Sequence, residues 1–152
     1  MQLQNGTLLQ GGKYKIETVL GQGGFGITYL ATQTLTDKKV AIKEFFFKEY
    51  CERDNVSGTV TVPTTSKKKF VEKFQKKFLK EAKIISDLNH KNIIRVLDVF
   101  QENDTSYYSM EYIIGKSLAQ EINAKGKIDG KKFSKDMIMR PYACLLYTSD
   151  AA

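Results

Sequence analysis

Tyr14, Ile16, Thr18 and Leu20 recur at every second position, which predicts a strand over residues 13–20 with those four on one face. A glycine cluster, GQGGFG at 21–26, interrupts the run. A second strand-like run covers 27–33, and Thr36, Asp37 and Lys38 supply a turn. Residues 39–47, KVAIKEFFF, are rich in β-formers. The three runs read as an antiparallel meander. Residues 48–66 are polar and contain Gly58 and Pro63, so they read as an insertion or long loop with a short strand near 59–62.

The period then changes. Phe70, Phe74, Phe78, Glu81, Ile85 and Leu88 recur at steps of four and three, one face of a helix over 67–88. Ser66 is placed to cap its start. Strands at 94–101 and 106–112 follow, joined by Glu102, Asn103 and Asp104. Gly115 breaks the chain, a short helix at 117–124 ends at Gly126, and another helix begins over 133–143. The expected class is α+β, a five-stranded antiparallel sheet packed on one long helix, followed by the beginning of a second lobe.

Composition bounds the function. Of 152 residues, 41% are hydrophobic, with 9 Phe and 8 Tyr, which suits a packed globular chain. No apolar run approaches the roughly 18 residues a spanning helix needs, and the first residues carry no secretory pattern, so no membrane segment and a cytoplasmic location are expected. Cys51 and Cys144 make no disulfide framework, and His90 stands alone, so no metal site is expected. The formal charge is +7. Lys67, Lys68, Lys69, Lys73, Lys76, Lys77 and Lys80 carry much of it, and they read as a solvated helix face rather than a nucleic-acid patch. The last nine residues, CLLYTSDAA at 144–152, look like translated sequencing-adaptor DNA and are set apart from the domain at 13–143.

The glycine cluster is the strongest chemical signal. In a dinucleotide-binding fold such glycines open a helix, and an acid follows about 20 positions later. Here Ile27, Thr28, Tyr29, Leu30 and Ala31 are β-formers, and the first acid, Asp37, comes too early in a turn. The glycines therefore join two strands of a hairpin. Without Cβ atoms, such a hairpin can approach phosphates and offer them backbone N–H groups. Glu81 falls on the apolar helix stripe, where an unpaired carboxylate would be costly. Lys43 lies on the same strand face as Ala41 and is its natural partner. The alternative is that Glu81 tilts to solvent.

Leu20-Gly21-x-Gly23-x-Phe25-Gly26 followed by Val40-Ala41-Ile42-Lys43 resembles the glycine loop and third-strand lysine of protein kinases. Residues 78–100 are similar to the kinase αC helix and fourth strand, and Ser109-Met110-Glu111-Tyr112-Ile113 to the fifth strand and hinge. The wording GQGGFGITYLA with VAIKEFF resembles bacterial Ser/Thr kinases of eukaryotic type. The resemblance covers about residues 13–125 and implies a kinase N-lobe.

It also implies roles. Gly21, Gly23, Gly26 and Lys43 would grip the phosphates of ATP, and Glu81 would orient Lys43. Leu20, Thr28 and Ala41 would sandwich the adenine, with Met110 as gatekeeper, and Glu111 and Ile113 would meet its polar edge through their backbones. Phe25 would cover the phosphates, or else be a simple exposed aromatic. His90 reads as a structural hydrogen-bonder. Thr28 departs from the usual valine, and its hydroxyl needs a partner. Larger is the departure that no His-Arg-Asp loop, no metal-binding asparagine after it and no Asp-Phe-Gly occurs in the sequence. The family's base and Mg²⁺ ligands are therefore missing from these residues, and the chain by itself is expected to be inactive. A protein hydroxyl would be the substrate of the parent enzyme. A nucleotide-responsive pseudokinase and a basic nucleic-acid binder are the competing readings.

Overall fold

The computed structural model describes residues 1–90 and 93–114; the helices expected at 117–124 and 133–143, and the tail, lie outside them. Among the described residues eight strands form, β1 (Leu8–Leu9), β2 (Tyr14–Gln22), β3 (Gly26–Gln33), β4 (Lys38–Phe45), β5 (Glu52–Arg53), β6 (Val60–Thr61), β7 (Val96–Glu102) and β8 (Thr105–Glu111), with one long helix, α1 (Lys68–Asp87). The main sheet is antiparallel in the order β1-β2-β3-β4-β8-β7. It has six strands rather than five because residues 8–9 fold back on β2 through Gln10, Gly11 and Gly12, all at positive φ. That conformation costs glycine least.

β2 does not keep one face throughout. Its register against β3 slips between Ile16 and Thr18 and again between Val19 and Gly21. A residue inserted into one strand turns the side chains after it to the other face. Tyr14 and Ile16 are therefore buried, whereas Thr18 and Leu20, expected beside them, are exposed. β3 and β4 pair without slip over eight positions, from Gly26 opposite Phe45 to Gln33 opposite Lys38.

That register sorts the side chains onto two faces. Thr28, Ala41, Lys43, Tyr108 and Met110 share the face toward α1, since Thr28 pairs with Lys43, Lys43 with Tyr108 and Ala41 with Met110. Tyr29, Glu44 and Tyr107 share the other, with residues 1–7 and Arg53 against it. α1 packs on β7 and β8 through Val71, Phe78, Ala82 and Ile85. Ser66 does not cap it. The chain first makes a 3-10 turn, Thr65–Lys67, and Lys67 stands at the cap without a side-chain bond.

The insertion is better ordered than its polarity suggests. β5 and β6 form a hairpin whose loop is tied by Asp54, which accepts from the amides of Val56 (2.9 Å) and Ser57 (2.6 Å). Those bonds, the Ser57 amide foremost, hold the Asp54 carboxyl below its ordinary range. The Val60 amide donates to the Asn103 carbonyl at 2.8 Å and fixes this hairpin to the turn between β7 and β8.

Candidate functional site

The centre of the site is set by two elements that meet only in three dimensions. β4 buries Lys43, whose side chain is 2% exposed. α1 brings Glu81 to it, with Nζ 3.7 Å from Oε1. The Tyr108 hydroxyl, on the neighbouring strand, donates to the same Glu81 oxygen at 3.2 Å. Glu81 is itself 42% exposed. It stands at the margin of the helix–sheet interface rather than inside the core, beside Lys43 but also reached by solvent. An ammonium this buried needs a counter-charge, and Glu81 supplies one.

The glycine turn lies where β2 passes into β3. Gly21 pairs with Thr28, and the Gly23 amide donates to the Gly26 carbonyl at 2.9 Å. Positive φ occurs among the glycines at 6, 11, 12 and 58, not in this turn. What glycine contributes at 21–26 is the missing Cβ, which leaves the backbone open to close approach. Phe25 is neither free nor exposed. Its ring stacks on Phe74 of α1 at 5.1 Å and 12°, and meets Phe47 at 4.6 Å.

The remaining positions divide. Thr28, Ala41 and Met110 are buried side by side on the Lys43 face. Leu20 stands apart at the second slip of β2, 36% exposed. Glu111 ends β8, with its amide bonded to the Arg95 carbonyl at 3.1 Å, and Ile113 follows, half-buried against the core. Among the described residues no three His, Cys, Asp or Glu side chains gather in a way that could hold a metal ion. Lys43 and the open backbone of the turn fit a polyphosphate by charge and by N–H donors; a divalent ion would need ligands from outside the described residues.

A family model described as the protein kinase domain matches residues 14–140. The chain belongs to the protein kinase family. This kinase domain is 34% identical over 121 residues to the Ser/Thr-protein kinase PrkC of Bacillus subtilis, covering 80% of the chain but 16% of that protein. It is 32% identical to a probable Ser/Thr-protein kinase of Clostridium acetobutylicum, with 84% and 16% covered, and 31% identical to the kinase PknD of Chlamydia caviae, with 77% and 10% covered. The chain thus spans less than a fifth of the length of these relatives. A solved structure, the apo form of PpkA-294, shares the fold with a TM-score of 0.75 at 24% identity, covering 82% of this chain and 43% of that one. No helix among the described residues is long and apolar enough to cross a membrane.

Sequence reasoning missed a second polar centre behind the first. Glu44, next to Lys43 but on the opposite face, is fully buried. It accepts from the Tyr29 hydroxyl (2.8 Å), the Tyr107 hydroxyl (2.6 Å) and Arg53 (2.7 Å). Burial first, then the Glu44 charge, push both tyrosine pKa values far up. Burial pulls the Arg53 guanidinium down, but Glu44 outweighs it and the net direction is up. The available signal was a charge in mid-strand followed by three phenylalanines, a place where a solvated face is improbable. Cys51 lies nearby, a buried free thiol pushed up by desolvation.

Proposed function

We propose that this domain is the nucleotide-gripping part of a protein kinase that transfers the γ-phosphoryl of ATP to Ser or Thr hydroxyls. One observation carries the reading: a buried lysine paired with a helix carboxylate beside a glycine hairpin. Lys43 would neutralise the α- and β-phosphates, and Glu81, steadied by Tyr108, would hold the ammonium in place. Backbone amides of the glycine turn other than that of Gly23 would point at phosphate oxygens, and Thr28, Ala41 and Met110 would form a wall for the adenine, with backbone groups of Glu111 and Ile113 at its edge. Mg²⁺, when bound with ATP, supplies charge neutralisation for the transfer. Pairing with Glu81 holds Lys43 oriented before the nucleotide arrives, which reduces the reorganisation left for binding.

The 152-residue chain should not transfer phosphate, because the catalytic aspartate and metal-binding residues of the family have no counterpart in its sequence. The experiment is a pair of measurements on purified chain and its Lys43→Met variant. The chain is expected to be stabilised against heat by millimolar ATP, and the variant not. Equal stabilisation of both, or phosphate transfer by the chain that Lys43→Met abolishes, would overturn the respective part of the reading. The variant is also expected to melt no lower than the parent without nucleotide. Replacing a buried ammonium with an apolar chain of similar length removes a desolvation cost, which offsets the lost ion pair.

A further inference from the structure

The rings around Phe25 join the glycine turn to α1. Phe25 touches Phe47 and Phe74, and Phe47 touches Phe74 at 5.2 Å. The turn's backbone is held as well: the Lys48 amide donates to the Gly24 carbonyl at 2.9 Å, and the Phe46 amide to the Phe25 carbonyl at 3.0 Å. The tip is thus fixed by ring contacts to the helix and by backbone bonds to the segment after β4. On α1, Phe74, Phe78 and Glu81 follow at steps of four and three, so one stripe carries all three. Phe78 meets Tyr108 at 5.0 Å, and Tyr108 bonds Glu81. Ring contacts therefore tie the tip of the turn to Phe74, the backbone of α1 carries Phe74 to Phe78, and Phe78 with Tyr108 leads to the Lys43–Glu81 pair.

We propose that Phe74 is a positioning residue that stacks on Phe25 and so couples the seating of the glycine turn to the inward setting of α1. Phe74 would touch no nucleotide. An outward movement of α1 that separates Glu81 from Lys43 would also pull Phe74 off Phe25 and release the turn. Conversely, a nucleotide that draws the turn down would favour the paired state of Glu81. The coupling rests on the ATP reading for its use, but not for its existence.

The test uses the 152-residue chain and the variants Phe25→Leu, Phe74→Leu and the double variant, with Phe70→Leu as control. Phe70 meets Phe47, Tyr50 and Phe74 but has no ring contact with Phe25. Amide hydrogen exchange without nucleotide reports the turn directly. Phe74→Leu and Phe25→Leu should each speed exchange at Gly23 and Lys48 by about 2- to 10-fold, as the loss of one aromatic pair allows, and leave 107–109 unchanged. Phe70→Leu should leave Gly23 and Lys48 as they are.

Titration with a fluorescent ADP analogue gives the second readout. Each single variant should weaken binding by about 2- to 10-fold, and the double variant no further than the weaker single. Unchanged exchange at Gly23 and Lys48 in Phe74→Leu, or independent multiplying effects in the double variant, would overturn the proposal. If Phe74→Leu fails to fold, Phe25→Leu, which lies outside the helix, decides by the same exchange measurement. If the parent binds the analogue no better than Lys43→Met does, the ATP reading fails, and the exchange result still judges the coupling.

Discussion

Lys43 and Glu44 are consecutive residues of β4 that serve opposite faces of the sheet. The first is buried toward α1, with a partner that solvent also reaches; the second is sealed among Tyr29, Arg53 and Tyr107. Their energetics differ accordingly. A sealed pair that loses one member leaves a charge with neither water nor counter-ion, at a cost of about 3–5 kcal/mol. Arg53→Ala should therefore lower the urea midpoint by most of what a small domain has in reserve. Lys13→Ala, whose partner Asp98 lies 2.7 Å away with both side chains open to solvent, should change it little. Of the two centres, only Lys43 with Glu81 was legible beforehand. Its two residues sit at positions that period and motif both single out, whereas the environment of Glu44 depends on Arg53, which the insertion folds over it and which local pattern does not place.

α1 shows how far a pattern of apolar positions reaches. Phe78 and Ile85 were expected in the core and are there, but Phe70 and Leu88, counted on the same stripe, are exposed. Phe70 points instead into the aromatic cluster at the start of the helix, with Phe47, Tyr50 and Phe74, while its neighbour Val71 takes the buried place. Ile84 and Ile85 give a direct check of the helix's rotation, since one is 54% and the other 3% exposed. Ile85→Ala should cost about 2–5 kcal/mol of unfolding free energy, and Ile84→Ala less than about 0.5 kcal/mol. Equal losses would mean that α1 is turned about its axis relative to this packing. The two slips in β2 and the missing Ser66 cap were not legible, because each depends on a partner strand or a preceding turn that local residue preferences do not encode.

For the whole domain, the two buried tyrosines set a limit at high pH. Their folded pKa values lie far above the ordinary value near 10, so the unfolded chain releases these protons first as pH rises. The stabilisation is complete below about pH 10 and is lost above it, by about 1.4 kcal/mol per pH unit for each tyrosine. Thermal melts between pH 8 and 11 should show a fall that steepens past pH 10, and Tyr29→Phe should flatten it. A slope unchanged by that substitution would assign the alkaline loss to other groups. The meander, the helix and the glycine turn could all be read from the chain's periodicity; the wrapping of the far face by residues 1–7 and the insertion could not, since both are polar and irregular.

That wrapping has a practical consequence. The Leu3 amide donates to the Tyr29 hydroxyl at 3.0 Å, and Arg53 donates to the Met1 carbonyl at 2.7 Å, across 52 positions of chain. A protease that nicks the backbone near Gln4 would detach a clasp from the very groups that keep Glu44 dry, whereas a nick at the exposed Val56 tip severs no such lid. Digestion should therefore proceed from the first cut straight to small peptides, and from the second should pause at a nicked but folded intermediate.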